Sequence, residues 1–321
     1  MVSHAELERA QTIVYATMPP TPQYAWPLLC EATGCETWLK HENHTPIGAF
    51  KLRGGLVHMR LRRERGQTSG VITATRGNHG QSIPYAAKRE GIAATIVVPL
   101  GNSPEKNAAI RALGVELIET GEDFDAAKAA AEALAVERGL DMVASFQPEL
   151  VLGVSTYAHE LFTAVDTLDA VYVPIGLGSG ICGVIAMRDL LGLKTKVIGV
   201  SSELANGYAQ SFKAGKPVAT SSSATFADGI ATRQPNPDAV AMINKGAERI
   251  VEVSDEEIAQ AIRLIFRATH NVAEGAGAAA LAALMKEREA MRGKRVGLIL
   301  SGGNIDTDKL ATVLSGGVPG P

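Results

Sequence analysis

The sequence predicts an α/β protein of two open, mostly parallel-sheet domains with the ligand site in the cleft between them. Three observations lead there. From about residue 70 onward, short apolar runs alternate with helical patterns, as in a parallel sheet covered by helices. Helix-start and helix-stop signals fall at the junctions of those runs. A glycine-rich turn stands between one strand and the helix after it, the place in open parallel sheets where ligands bind.

Val71-Ile-Thr-Ala is the first strand of the alternating region and is followed by a helical stretch to Gly91. Thr95-Ile-Val-Val leads to Ser103-Pro104, an N-cap with proline in the first helical turn, and Gly114 stops that helix. Val115-Glu-Leu-Ile and an alanine-rich helix from Asp123 to Gly139 complete a compact unit over residues 70–147. A second set begins with the strand Val171 to Ile175, continues through a helix ending near Gly192, and resumes at Lys196-Val-Ile-Gly-Val-Ser. Ser254-Asp-Glu-Glu257 reads as a capping box that opens a long amphipathic helix. The strand Arg295 to Leu300 and the turn Ser301-Gly-Gly-Asn304 close the pattern. Residues 206–240, rich in Ser, Thr, Pro and Asn without periodicity, are expected to be loop passing near the site.

The 321 residues, 46% hydrophobic and 20% charged, are enough for two domains with a substantial core. With 31 basic against 34 acidic residues the net charge is -3, which offers no positive field for nucleic acid or a membrane surface. Small molecules are the expected partners. Cys30, Cys35 and Cys182 are too few for a disulfide framework and lack zinc-ligand spacing, so no metal is expected and a reducing compartment follows. The charged N-terminus lacks the apolar core of a signal peptide, and no apolar run is long enough to cross a bilayer, so a cytoplasmic protein is expected.

The glycine-rich turn is Gly176-Leu177-Gly178-Ser179-Gly180-Ile-Cys-Gly183, directly after a strand and before a helix. Backbone N–H groups there can cradle a phosphate at the positive end of the helix dipole. Gly178-x-Gly180-x-x-Gly183 also matches the dinucleotide fingerprint, with Glu203 about 20 residues on, where a ribose-binding acid would stand. A tight turn with close helix packing is the third reading. On this loop alone, a nicotinamide-dependent oxidoreductase stays open.

Four more segments occur with it, in a fixed order. His41-Glu-Asn-His-Thr-Pro-Ile-Gly-Ala-Phe50-Lys51-Leu-Arg-Gly-Gly and Ala74-Thr75-Arg76-Gly77-Asn78-His79-Gly80 precede it, and Glu274-Gly-Ala-Gly and Ser301-Gly-Gly-Asn304 follow. Together they resemble the fold-type II pyridoxal phosphate enzymes, in the branch of the serine/threonine dehydratases and serine racemases. They match that family's Schiff-base segment, asparagine loop, phosphate-binding loop, acidic turn and pyridine-binding turn. The resemblance runs from about residue 20 to 306. It implies a tryptophan synthase β-like fold with the active site in the interdomain cleft. Residues 1–69 and 148–321 would be the large cofactor-binding domain and 70–147 a small mobile one. It implies pyridoxal 5'-phosphate as cofactor and a homodimer. The activity implied is that of an ammonia-lyase converting a β-hydroxy-α-amino acid, such as threonine, serine, 3-hydroxyaspartate or 3-phenylserine, to a 2-oxo acid and ammonia.

The resemblance assigns roles residue by residue. Lys51 carries the Schiff base and acts as acid/base; because it precedes the amphipathic stretch Leu52, Leu56, Met59, its ammonium is expected at a helix N-terminus, where the dipole disfavours positive charge. Phe50 adjoins it at the cofactor. Asn78 bonds the cofactor's 3'-oxygen, Gly176 to Gly180 hold its phosphate, Glu274 positions its plane or caps the next helix, and Ser301 faces the pyridine nitrogen. A hydroxyl at Ser301, unlike a carboxylate, does not stabilise a protonated ring, so charge stays near the substrate and favours elimination. Thr75, with the backbone of Arg76, Gly77, Asn78 and His79, forms the α-carboxylate pocket.

Arg76 departs from the family, in which racemases carry a serine there. A guanidinium stays protonated and cannot be the acid on the second face, so racemisation is disfavoured. Arg76 either strengthens carboxylate binding, pairs with a second acidic group of the substrate, or points to solvent. Metal-activated relatives place an aspartate six residues after the glutamate at Glu203; here that position is Ala209, which argues against a divalent-ion site. A catalytically silent amino-acid-binding protein is the remaining alternative.

Overall fold

A computed structural model of the chain describes residues 2–321. Its strands are β1 Gln23–Ala25, β2 Glu36–His41, β3 Val71–Ala74, β4 Ala94–Val98, β5 Glu116–Glu119, β6 Asp141–Met142, β7 Ala170–Pro174, β8 Lys196–Ser202, β9 Arg249–Val253 and β10 Arg295–Leu300. One sheet has the order β1-β2-β10-β7-β8-β9 and is parallel except for β1, which pairs antiparallel with β2 at the edge. The other has the order β5-β4-β3-β6 and is parallel throughout.

Every residue of β3, β4 and β7 is buried, as strands covered on both faces require. In the six-stranded unit the alanine-rich helix Gly275–Lys286 buries ten residues, packing on β7 and β10. The amphipathic helix Asp255–Thr269 lies against it, opened by the expected capping box of Ser254 and Glu257. In the four-stranded unit Ala127, Ala131 and Ala135, spaced four apart on the helix Phe124–Arg138, cover Ile72, Ala74 and Val97.

The chain divides into two compact units at different boundaries from those read off the sequence. One comprises the residues up to His4, Pro20–Phe50 and Val154–Pro321; the other comprises Ala5–Pro19 and Lys51–Gly153. Residues 51–69 and 148–153 thus join the four-stranded unit, for a packing reason. The helix Lys51–Glu64 lies along the helix Asn78–Glu90, and Ser82 Oγ donates to Lys51 O at 2.6 Å. Gly54 admits the start of the helix Pro148–Ala164: a Cβ there would stand 2.8 Å from Leu150 O. Arg9 pairs with Glu64, which brings the helix His4–Tyr15 into the same unit.

The segment expected to be loop over 206–240 also needs correction. It contains the helix Gly207–Ala214, closed by Gly215 at φ 70°, and the start of the helix Pro237–Gly246. Burial of Tyr208 and Ala209 supplies the apolar face that local periodicity did not reveal.

Candidate active site

In the four-stranded unit Lys51 is the first residue of its helix and partly buried. Burial brings its amine down from 10.5 to about 8; the expected placement at a helix N-terminus holds, and the cause of the shift is desolvation. β3 delivers the loop Thr75–Gly80, where Thr75 Oγ1 accepts from Gly77 N at 3.0 Å and Gly80 N at 3.1 Å. Thr75 Oγ1 therefore satisfies two amides at the start of the helix Asn78–Glu90.

His79 is buried, its ring held neutral at about 3 by burial and by the nearby Lys51 and His58 charges, while the Val143 carbonyl opposes that shift as its hydrogen-bond partner. Its ring thus bonds the backbone of Val143. Arg76 is partly buried and makes no ion pair or hydrogen bond among the described residues. Asn78 opens the helix, and Gly77 admits the buried Lys106, whose Cδ would lie 2.7 Å from a Cβ there.

In the six-stranded unit the turn after β10 is locked to the segment before Lys51. Phe50 N donates to Ser301 O at 3.0 Å, Gly303 N to Gly48 O at 2.9 Å, and Asn304 Nδ2 to Ile47 O at 2.8 Å. Ser301 is buried. Glu274, also buried, stands at the N-cap of the helix Gly275–Lys286 without capping it through its side chain, and its backbone N donates to Gly302 O at 3.1 Å. A Cβ on Gly302 would lie 2.6 Å from Glu274 Oε1, and one on Gly277 would lie 2.2 Å from Gly302 O. The turn at Glu274 and the turn Ser301–Asn304 are thus one packed assembly.

The loop Gly176–Gly180 connects β7 to the helix Ser179–Leu190. Gly178, the N-cap, has φ 101°, a left-handed conformation open to glycine at little cost. Gly176 approaches Gly229 so closely that a Cβ would sit 2.4 Å from its carbonyl oxygen. Two buried tyrosines reach the loop's carbonyls: Tyr208 OH donates to Leu177 O at 2.9 Å and Tyr157 OH to Gly180 O at 3.2 Å. Tyr157 also meets the Phe50 ring edge-on, with centroids 6.2 Å apart. Cys182 packs beneath, its thiol pushed up to about 12 by burial. The sequence reading missed both tyrosines and Gly229, which stand far from the motifs in sequence.

Residues 15–302 match the family described as pyridoxal-phosphate dependent enzyme. The chain belongs to that family. It is 33% identical over 319 residues to L-threonine ammonia-lyase of Thermotoga maritima, covering 99% of this chain and 79% of that protein. It is 32% identical over 302 residues to L-threo-3-hydroxyaspartate ammonia-lyase of Saccharomyces cerevisiae, covering 94% and 93%. Among solved structures, the processed form of threonine deaminase isoform 2 from Solanum lycopersicum is similar with TM-score 0.89 and 30% identity, covering 98% of this chain and 95% of that one.

The chain is a pyridoxal-phosphate dependent enzyme of fold type II, which sets aside the nicotinamide-dependent oxidoreductase suggested by Gly178 to Gly183 and Glu203. Its residues fit the group. Lys51 is a partly buried amine of lowered basicity, and the buried Gly178, at the N-terminus of the helix Ser179–Leu190, has a backbone N–H that donates to no acceptor among the described residues. His44, exposed and bonded through Nε2 to Asn271 Oδ1 at 2.6 Å, has a structural role. No helix among the described residues is long and apolar enough to cross a membrane.

Proposed function

We propose that this enzyme removes water and then ammonia from a β-hydroxy-α-amino acid such as threonine, serine, 3-hydroxyaspartate or 3-phenylserine. One amino acid gives one 2-oxo acid and one ammonia, because the water eliminated is returned when the released enamine hydrolyses. The observation that carries the reading is Lys51, a partly buried helix-terminal amine brought down to about 8 in a chain of this family. The names of the Thermotoga and yeast relatives support the substrate class.

Bound pyridoxal 5'-phosphate supplies the electron withdrawal that makes the substrate's α-C–H acidic. Lys51 would hold the cofactor through Nζ and, as a neutral amine, would take up the substrate's α-proton at that same atom. The first-turn amides beside Thr75 orient the α-carboxylate, and the side chain of Asn78 holds the cofactor's 3'-oxygen. Amides of Gly176 to Gly180 take the phosphate, and Glu274 sets the plane of the ring. Ser301 would offer the pyridine nitrogen a neutral hydroxyl, which unlike a carboxylate would not stabilise a protonated ring and so would favour loss of the protonated β-hydroxyl as water. In the cell we infer a cytoplasmic homodimer, on the composition and the family resemblance; sedimentation of the holoenzyme tests the dimer.

A panel of β-hydroxy amino acids, assayed for 2-oxo acid release by the holoenzyme, tests the activity. At least one is expected to be turned over, with Lys51→Ala inactive on all. Release of no 2-oxo acid from any of them, by protein carrying its cofactor, would remove the reading.

A further inference from the structure

The phosphate loop is held from behind by a residue that no motif contains. Tyr208 lies on the short helix Gly207–Ala214, buried, and its hydroxyl makes two hydrogen bonds. It donates to Leu177 O at 2.9 Å and accepts from Asn236 N at 3.1 Å. Asn236 is itself fixed as an N-cap, its Oδ1 accepting from Asp238 N and Ala239 N at 3.0 Å each. The hydroxyl therefore has a rigid support on one side and the loop on the other.

The Leu177 carbonyl belongs to the same peptide plane as the Gly178 N–H, and no peptide bond among the described residues is cis. In a trans peptide the C=O and N–H point in opposite directions. Anchoring the carbonyl on Tyr208 thus turns the Gly178 N–H away from the protein's interior support, and that N–H donates to no acceptor among the described residues. Gly178, at φ 101°, has the freest backbone in the loop, so its peptide needs an external hold. Water does not substitute easily, because Gly178 and Tyr208 are both buried.

We propose that Tyr208 is a positioning residue for the phosphate cradle, its hydroxyl fixing the Leu177–Gly178 peptide so that the Gly178 N–H is aimed at the phosphate. This rests on the reading of Gly176 to Gly180 as the phosphate site. Tyr157, donating to Gly180 O at 3.2 Å, steadies the next part of the loop in the same way and has the smaller share, since a helical carbonyl already has its own backbone partner. The inference assigns a function to the helix Gly207–Ala214, which carries the hydroxyl from outside every sequence motif.

The test compares two probes on the apoenzyme: pyridoxal 5'-phosphate and pyridoxal, which lacks the phosphate. Dissociation constants are read from the absorbance of the bonded chromophore. In the wild type the phosphorylated probe is expected to bind far more tightly; equal binding would defeat the phosphate reading itself. Tyr208→Phe is expected to weaken the phosphorylated probe by about tenfold while leaving pyridoxal within about twofold. Tyr157→Phe is expected to give a smaller loss of the same selectivity, so the second variant decides should the first not fold. Tyr172→Phe removes another buried hydroxyl, bonded to Glu287 at 2.6 Å, and is the control expected to leave the ratio unchanged. Equal losses on both probes, or no loss in Tyr208→Phe when the wild type does discriminate, would overturn the proposal.

Discussion

As the proposed Schiff-base residue, Lys51 would react as the neutral amine, and burial sets the pH at which it becomes neutral. The rate at which the apoenzyme captures pyridoxal 5'-phosphate should therefore rise with pH and level off above about 8, well below the 10.5 of an ordinary lysine. Stopped-flow absorbance across pH 6 to about 10 reads this midpoint. The same burial has a stability consequence with a definite sign. A lysine whose folded-state pKa lies below its unfolded value opposes folding below the folded pKa, and the opposition fades as pH rises through about 8 toward 10.5. Lys51→Met should thus stabilise the apoenzyme by on the order of 2–3 kcal/mol near neutrality, with the gain shrinking in alkaline buffer. Thermal unfolding at pH 7 and at pH 10 checks both.

Arg76 is the other residue whose charge has consequences. Partly buried, without an internal ion pair among the described residues, it is expected to meet a second carboxylate of the substrate. Arg76→Ala should then lower kcat/KM for 3-hydroxyaspartate by about tenfold more than for threonine. Equal losses on the two substrates would leave only a common role in α-carboxylate binding.

At the scale of elements, the glycine loop depends on backbone geometry. Gly178→Ala places a Cβ in a left-handed conformation that costs about 1–2 kcal/mol, so cofactor retention should fall even though no charge changes. Equilibrium dialysis against pyridoxal 5'-phosphate measures that fall. Ser254→Ala removes the cap of the helix Asp255–Thr269 and should lower stability by about 1 kcal/mol while leaving cofactor affinity unchanged. Chemical denaturation and the same dialysis separate the two effects.

The elements legible in the sequence were those fixed by local chemistry. β3 and β10 fall on the expected residues, and Ser103 and Ser254 cap the helices they were expected to cap. The places of Lys51 at the head of a helix and of the loop Thr75–Gly80 between β3 and a helix were legible for the same reason, while their roles at the site come from the family resemblance. Tyr157 and Tyr208 were not, because a tyrosine hydroxyl acquires its meaning from a carbonyl 23 or 31 residues away in sequence. The helix Gly207–Ala214 was obscured by its short length and by the Ser, Thr and Pro-rich chain around it.

At the scale of the molecule, long-range packing overrode the sequence-based division of the chain. Residues 51–69 looked continuous with the N-terminal segment, yet Gly54 and Gly55 let their helix settle against Leu150 and Ser82. The six-stranded unit has its own buried anchor, in which Lys40 Nζ donates to Glu160 Oε2 at 2.6 Å, Thr21 O at 2.7 Å and Gln23 Oε1 at 2.8 Å. Such an arrangement holds β1 and β2 to the helix behind them, and its partners are exchanged only as a set.

The central chemical claim is that the amine of residue 51 bonds pyridoxal 5'-phosphate. Borohydride reduction of the purified holoenzyme followed by peptide mapping tests it most directly. A pyridoxyl mass on Lys51 is expected, absent from the Lys51→Ala protein. An unmodified Lys51 peptide, or a modification carried by another lysine such as Lys106, would contradict it.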